Sequence, residues 1–207
     1  MSSSAEFKSA SCLVRPASMQ DLREVSDVLT SSFYPPLGWQ RWLHPILRFS
    51  IYEDLKQRLH SGHQYYRCLI AIAPDRYTQK PMVVGTVEIA HRPPSLWAFD
   101  RTQQVYLSNL AVRASARRQG VARQLLQAAE TLTLDWGFRA LSLHVMTDNT
   151  RAKLLYQNMG YQLQREEPTL WSVLNLQPSR LLLKKALPAP SSPDQQPGHP
   201  LPKPISY

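Results

Sequence analysis

Residues 105–126 read VYLSNLAVRASARRQGVARQLL, and their character changes twice along the stretch. Residues 105–112 are mostly apolar and end on Leu110, Ala111 and Val112, which predicts a strand. A short basic loop with Gly120 follows. After it, apolar residues at spacings of three and four predict an amphipathic helix with the buried face Val121, Leu125, Ala129, Leu132 and Trp136. This order of elements presents free backbone N–H groups and the positive end of a helix dipole to a pyrophosphate group.

The spacing of residues in this loop is more specific than its single glycine. Arg117, Gly120 and Ala122 fit the pattern (Arg/Gln)-x-x-Gly-x-(Gly/Ala). A P-loop is excluded because no Gly-Lys-(Ser/Thr) follows, and a Rossmann loop is excluded because three spaced glycines are missing. The pattern and its flanking elements resemble the coenzyme A loop of the GCN5-related N-acetyltransferase (GNAT) superfamily. The resemblance covers residues 13–176 and departs from the family at Ala114, where proline is common.

Residues 149–161 match a second block of the same family, Asn-x-x-Ala-x-x-Leu-Tyr-x-x-x-Gly-(Phe/Tyr). The matching residues are Asn149, Ala152, Leu155, Tyr156, Gly160 and Tyr161. The resemblance implies that Tyr156 is the acid that protonates the coenzyme A thiolate. A phenol with a pKa of about 10 donates to a thiolate with a pKa of about 8.5 only if it is well positioned. The alternative is a core tyrosine whose hydroxyl lies at the rim.

Two residues on predicted strands are candidates for the base. His144 and Tyr106 resemble the His and Tyr that activate an ordered water in NatE-type N-terminal acetyltransferases. The ribosomal-protein alanine acetyltransferases look similar, with Glu where this chain has His144. An imidazole with a pKa of about 6.5 is poised to exchange protons at neutral pH. A strand histidine without further function is the alternative reading, and Glu88 is the fallback base.

The resemblance also implies acetyl-CoA as cosubstrate, with its pantetheine arm in a splay between the fourth and fifth strands. The implied cofactor contacts are Leu110, Ala111, Val112, Arg117, Arg118, Gln119, Gly120, Val121, Ala122, Asn149 and Tyr156. Small residues at positions 120 and 122 would let the diphosphate approach the backbone. Asn149 would contact the cofactor or cap a helix. Phe33, Tyr34 and Pro35 would form one wall of the acceptor groove, or a proline-stiffened connection.

The patterns together predict an α/β protein with the GNAT fold. We expect a mostly antiparallel sheet of six to seven strands, splayed between strands 4 and 5 and flanked by about four helices. The predicted strands cover residues 13–16, 66–73, 82–90, 105–112 and 140–145, followed by a hairpin of 161–164 and 171–176 around a charged loop at 165–168. The predicted helices begin near residues 18, 40, 121 and 150. We expect a disordered leader at 1–11, one domain at 12–185 and a proline-rich disordered tail at 186–207.

The composition narrows the classes of partner. The net charge is +9, yet no stripe of Lys and Arg interleaved with aromatic residues predicts nucleic-acid binding. A polyanionic cofactor accounts for the arginine cluster at 113, 117, 118 and 123. No apolar run is long enough to predict a membrane span. Cys12 and Cys68 show no metal-ligand spacing, and we interpret them as buried reduced thiols, which suits a cytoplasmic location.

The acceptor is a primary amine, and its identity is left open by the sequence. Protein α-amines have a pKa of about 7.7 to 8.0, against about 10.4 for lysine, so a histidine-assisted water is better matched to N-termini. The overall pattern is also similar to plastid and cyanobacterial acetyltransferases that modify protein N-termini and lysines. We therefore favour direct acetyl transfer to a protein α-amine, with lysine as a further acceptor. The alternatives are an acetyltransferase of arylalkylamines or polyamines and a non-enzymatic acyl-CoA-binding module.

Overall fold

The structure is a computed structural model that describes residues 12–34, 42–92, 104–168 and 178–188. Within these ranges the strands are β1 (Leu13–Pro16), β2 (Tyr66–Pro74), β3 (Pro81–Arg92), β4 (Gln104–Val112), β5 (Ala140–Met146), β6 (Gln162–Glu167) and β7 (Arg180–Ala186). The helices are α1 (Leu22–Phe33), α2 (His44–His60), α3 (Val121–Asp135) and α4 (Thr150–Asn158). The strands form one seven-stranded sheet in the order β1-β2-β3-β4-β5-β7-β6. Only β4 and β5 pair in parallel, which confirms the predicted mixed, mostly antiparallel fold.

Each face of the sheet covers its own apolar core, because side chains alternate along a strand. On one face, Val105 and Leu107 of β4 and Leu141 and Leu143 of β5 pack in one cluster with α3. The other face packs against the first two helices. The buried residues of α1 include Leu22, Val25, Val28 and Leu29, the stripe that its spacing predicts.

A β-bulge bends β4 and opens the sheet. Glu88 of β3 pairs with Ser108, whereas Thr86 pairs with Ala111, so two residues of β4 lie opposite one residue of β3. Asn109 lies in the bulge with φ of 52°, a left-handed conformation that asparagine tolerates better than most residues. Pairing of β4 with β5 covers only Val105–Leu107, and the pairing does not continue beyond it. The expected splay between strands 4 and 5 is therefore present, and a bulge is a physical reason for it.

The last part of the sheet differs from the sequence prediction. The predicted strand at 171–176 lies outside the described residues, and the partner of β6 is β7, which the sequence analysis did not predict. β7 lies between β5 and β6. Residues 165–167 belong to β6, so the prediction of a charged loop there was wrong.

Three further sequence predictions are refined by the structure. α2 begins at His44 with Pro45 in its first turn, where the missing N–H of proline costs no hydrogen bond, rather than near residue 40. On α3, Leu132 and Trp136 are only partly buried, and Leu126 and Thr133 complete the buried face. Leu187 follows β7 and is buried. The predicted leader at 1–11 lies outside the described residues, as does the tail from residue 189.

The described part of the chain has no helix that is long and apolar enough to cross a membrane. No group of three His, Cys, Asp or Glu side chains in these residues could hold a metal ion. Cys68 is buried, and burial raises the pKa of its thiol to about 12. Cys12 is only partly buried, so the expectation of a buried thiol is met at one position of the two.

Gly85 of β3 lies where α3 packs closely on the sheet. A Cβ atom added there would lie 3.1 Å from the Ala111 carbonyl oxygen and 3.1 Å from side-chain carbons of Val121 and Leu125. We expect Gly85→Ala to lower the free energy of unfolding by about 1–3 kcal/mol, the usual cost of overpacking. Urea denaturation followed by circular dichroism measures this. An unchanged urea midpoint would contradict the close packing.

Candidate active site

The loop between β4 and α3 leaves a run of backbone amides without acceptors. Gln124 donates its amide to the Gly120 carbonyl at 3.1 Å and is the first residue of α3 to make such a bond. Among the described residues, no backbone carbonyl accepts from the amides of residues 118–123. Arg118 and Gly120 have φ of 66° and 82°, which curls the loop ahead of the helix. Consecutive free amides at a helix N-terminus fit a diphosphate.

Side chains of the loop hold its shape from both ends. Arg113 donates from Nε to the Val83 carbonyl at 2.7 Å, and Arg117 donates from Nε to the Val112 carbonyl at 3.0 Å. Gln119 donates from Nε2 to the Ser115 carbonyl at 3.0 Å. The predicted phosphate ligands in this loop are therefore its amides, with the exposed side chain of Arg118 adding positive charge.

The splay exposes one edge of β4 exactly where the predicted pantetheine contacts lie. Leu110, Ala111 and Val112 follow the bulge and have no β5 partner in the described pairing. They also lie directly ahead of the loop that precedes α3. A strand edge with unpaired N–H and C=O groups pairs readily with an extended amide-containing chain. These residues therefore fit the amide groups of a pantetheine arm.

Tyr106 and His144 meet on the sheet face that α1 and α2 cover. Each alternates with core residues of the opposite face, Tyr106 with Val105 and Leu107, and His144 with Leu143 and Val145. The Tyr106 hydroxyl lies 2.7 Å from Nδ1 of His144. The sequence candidates for the base are thus a hydrogen-bonded pair at the start of the splay.

Glu167 extends this pair and was missed by the sequence analysis, which placed it in a loop. Its Oε2 lies 2.9 Å from Nε2 of His144. Its Oε1 accepts from Nε of Arg165 at 2.7 Å. Burial alone would raise the pKa of Glu167, but Arg165 and His144 outweigh it and lower that pKa below its usual value. The only sequence signal was the i, i+2 spacing of opposite charges, which places them on one face of a strand.

Tyr156 approaches from the other face of the sheet. Its side chain packs in the core that α3 shares with β5. Burial, with a smaller contribution from nearby Tyr106, raises the pKa of Tyr156 to about 12, so the phenol keeps its proton at neutral pH. The predicted acid and the predicted base pair therefore lie on opposite faces of the sheet.

Asn149 and Glu88 have structural roles in the described contacts. Asn149 caps α4, and its side-chain oxygen accepts from the Ala152 amide at 3.1 Å. Glu88 is buried and accepts from Tyr66 Oη at 2.8 Å, from Asn109 Nδ2 at 2.6 Å and from Arg58. Three donors occupy this carboxylate, which therefore connects α2 and β2 to the bulge of β4.

The predicted acceptor wall is only partly described. Phe33 and Tyr34 are exposed at the end of α1, and Pro35 lies outside the described residues. Trp42 is exposed just before α2, and Ile46 and Phe49 are exposed in the first part of α2, where their spacing of three places them on one side of the helix. The described residues on both sides of 35–41 thus present exposed apolar side chains.

The family of the chain follows from a comparison with family models. The model of the acetyltransferase (GNAT) family matches residues 27–161, more than half of the chain. The chain belongs to this family. The resemblance of the two sequence blocks is thereby confirmed, and so is the fold class. N-acetyl transfer is the reaction of GNAT enzymes, and acetyl-CoA is their acyl donor, so both predictions hold at the level of the family.

Individual proteins place the chain within this family. It is 31% identical over 159 residues to GCN5-related N-acetyltransferase 10, chloroplastic, of Arabidopsis thaliana, a match that covers 73% of this chain and 62% of that protein. The chain thus spans less than two thirds of the length of this relative. Its structure is similar to that of the NatC complex bound to Gag peptide and CoA, with a TM-score of 0.63, 16% identity, and coverage of 86% of this chain and 99% of that chain.

A ribosomal-protein-alanine N-acetyltransferase from Brucella melitensis is also similar in structure. The TM-score is 0.60 at 20% identity, and the match covers 84% of this chain and 99% of that chain. At such identities the two structural matches show the fold alone.

Proposed function

We propose that this chain transfers an acetyl group from acetyl-CoA to the α-amine of a protein or peptide. The observation that carries the proposal is the hydrogen bond of 2.7 Å between Tyr106 and His144, on the sheet face opposite the core that holds Tyr156. In this proposal, the pair and Tyr156 supply a proton acceptor and a proton donor from the two sides of the β4–β5 splay. Acyl transfer from a thioester to an amine needs both.

Each residue of this site has a distinct task in the proposed reaction. Acetyl-CoA supplies a reactive carbonyl carbon and a thiolate leaving group. The amides of residues 118–123 and the free edge of β4 bind it and orient its acyl end. His144 and Tyr106 take a proton, through an ordered water, from the acceptor amine and leave it neutral for attack. Tyr156 donates its hydroxyl proton to the departing sulfur.

The α-amine is the acceptor that a base of this kind serves best. A histidine-linked base at neutral pH deprotonates an amine with a pKa of about 8 at smaller cost than a lysine with a pKa of about 10.4. Two structural neighbours carry a protein acceptor in their descriptions, because NatC was solved with Gag peptide and the Brucella protein is named for ribosomal-protein alanine. Lysine remains a second acceptor in this proposal, because the exposed apolar side chains on both sides of residues 35–41 suit its aliphatic stem.

Turnover of acetyl-CoA across a mixed panel of peptides and small amines tests the acceptor class. We expect acetylated peptide N-termini by mass spectrometry, weaker lysine products, and loss of activity by about 100-fold in His144→Ala, because a general base commonly contributes that much or more. Products only on arylalkylamines or polyamines would replace the protein acceptor with a small amine. Coenzyme A binding without any product would make the chain a binding module.

The cellular location stays a prediction. The sequence analysis favours the cytoplasm, whereas the Arabidopsis relative is named as a chloroplast protein. Fractionation of cells that express the full-length protein distinguishes the two compartments.

A further inference from the structure

We propose that Glu167 is the third member of a proton relay, in which Tyr106 receives the proton, His144 stores it and Glu167 balances the resulting charge. This inference rests on the proposed function and adds a residue that the sequence pattern of the family did not indicate. It is carried by a continuous chain of contacts. Tyr106 Oη lies 2.7 Å from Nδ1 of His144, and Nε2 of His144 lies 2.9 Å from Oε2 of Glu167.

The carboxylate fixes the tautomer of the imidazole. An ionised carboxylate only accepts hydrogen bonds, so Nε2 of His144 must carry the proton that points to Glu167. In the neutral ring, Nδ1 is then the acceptor, and the Tyr106 hydroxyl donates to it. A hydroxyl oxygen that donates a hydrogen bond keeps its capacity to accept one, so in the proposed relay Tyr106 Oη receives the proton of the acceptor amine. The geometry thus makes Tyr106 the group that meets the acceptor, with His144 one step behind it.

The proton balance of the relay is simple. The acceptor ammonium gives one proton, directly or through water, to Tyr106 Oη as the hydroxyl proton of Tyr106 moves to Nδ1 of His144. The imidazolium that forms keeps its Nε2 hydrogen bond to the Glu167 carboxylate, which compensates the new positive charge. The neutral amine then attacks the thioester carbonyl, forming the C–N bond as the C–S bond breaks. Tyr156 gives its proton to the departing sulfur and takes the second proton from the new amide nitrogen. The relay later releases its proton to solvent.

Register places Arg165 and Glu167 of β6 on the face of His144. Leu182 of β7 lies opposite His144 on one side and opposite Arg165 on the other, and Glu167 follows two residues later on the same face. Arg165 binds the Glu167 oxygen that His144 does not use, at 2.7 Å from Nε and 2.6 Å from Nη2. Arg165 therefore orients Glu167 and also weakens the electrostatic effect of the Glu167 carboxylate on the imidazole.

Other charged groups share this face of the sheet. β7 contributes Lys184 and Arg180, whose register partners on β5 are Ser142 and Met146. β3 contributes Glu88, which is tied to Arg58 of α2. The positive charges on β7 would disfavour an imidazolium, and Glu88 lies on β3, two strands away from β5, whereas Glu167 contacts the His144 ring directly. Glu167 is therefore the carboxylate suited to support a positively charged His144.

The test compares three variants that change one charge each. Glu167→Gln keeps an acceptor for Nε2 and removes the charge, so the acid limb of kcat/KM should move to lower pH by about one unit and the plateau should fall about tenfold. Arg165→Gln frees the carboxylate, so the limb should move by about half a unit in the opposite direction. Glu166→Gln is the matched control, because Glu166 alternates to the other face and should shift nothing.

Shifts of opposite sign cannot arise from general damage to the fold, which would lower activity in both variants. An NMR titration of the His144 ring, assigned by its loss in His144→Ala, gives the same readout without turnover. We expect its midpoint to fall in Glu167→Gln and to rise in Arg165→Gln. Equal midpoints in these two variants and the wild type would overturn the relay, even if acetyl transfer is found. Absence of acetyl transfer with the expected midpoints would refute the proposed function and leave the coupling of Glu167 to His144 intact.

Discussion

Tyr156→Phe is expected to lower kcat by about 100-fold or more and to leave the affinity for coenzyme A nearly unchanged. The substitution removes a single hydroxyl from a side chain that is 7% exposed, so the packing of the ring persists. Because burial raises the pKa of Tyr156 to about 12, the phenol is protonated throughout the working pH range, and donation to a thiolate with a pKa of about 8.5 depends on its position against the sulfur. Without it the thiolate must leave unprotonated. Steady-state kinetics with calorimetry of coenzyme A binding separate the two effects.

Tyr161→Phe is the matched control for this experiment. Tyr161 is also buried, and its ring contacts that of Tyr156 edge to face with centroids 5.8 Å apart. Burial, and then Glu130, raise its pKa as well. If Tyr156 acts through its position at the splay, Tyr161→Phe keeps its rate within a few-fold of the wild type. Equal losses in both variants would mean that the pair has a packing role and that another group protonates the thiolate.

The parts of this fold that the sequence predicts are those with a local pattern. The buried stripe of α1 and the start of α3 follow from the spacing of apolar residues. The alternation along β4 places Tyr106 and Leu107 on opposite faces of the sheet. The block around Tyr156 is predicted in the same way, because most of its residues lie on successive turns of α4. Such patterns involve residues three or four positions apart, so they can be recognised without knowledge of the rest of the chain.

The parts of the fold that the sequence does not predict depend on pairing between distant segments of the chain. β7 reads RLLLKKA, without clean alternation, and becomes a strand because it pairs on both sides, with Leu183 in the core. Glu167 sits in a run of charges before a proline, which is typical of a turn. Only the insertion of β7 beside β5 brings its carboxylate to His144. The bulge at Asn109 likewise depends on the Glu88 carboxylate across the pair.

Gly120→Ala is expected to weaken coenzyme A binding by about tenfold or more, measured by calorimetry. Gly120 precedes α3 with φ of 82°, a conformation that costs a residue with a Cβ roughly 1 kcal/mol. An alanine relieves this strain by rotating its backbone, and the rotation turns the neighbouring amides away from a common point. Because those amides are the proposed diphosphate ligands, affinity falls even if the helix survives. The added methyl also occupies space that a glycine leaves for the ligand.

Gly137→Ala separates the loss of ligand contacts from backbone strain. Gly137 has the same φ of 82° at the other end of α3, and a Cβ there meets nothing within 4 Å. Both variants should therefore lose a similar free energy of unfolding in urea, whereas only Gly120→Ala should lose affinity for coenzyme A. Similar losses of affinity in both would assign the effect to α3 as a whole. Full affinity in Gly120→Ala would show that the amides of this loop do not bind coenzyme A. There would then be no reason to infer that the thioester lies in the splay.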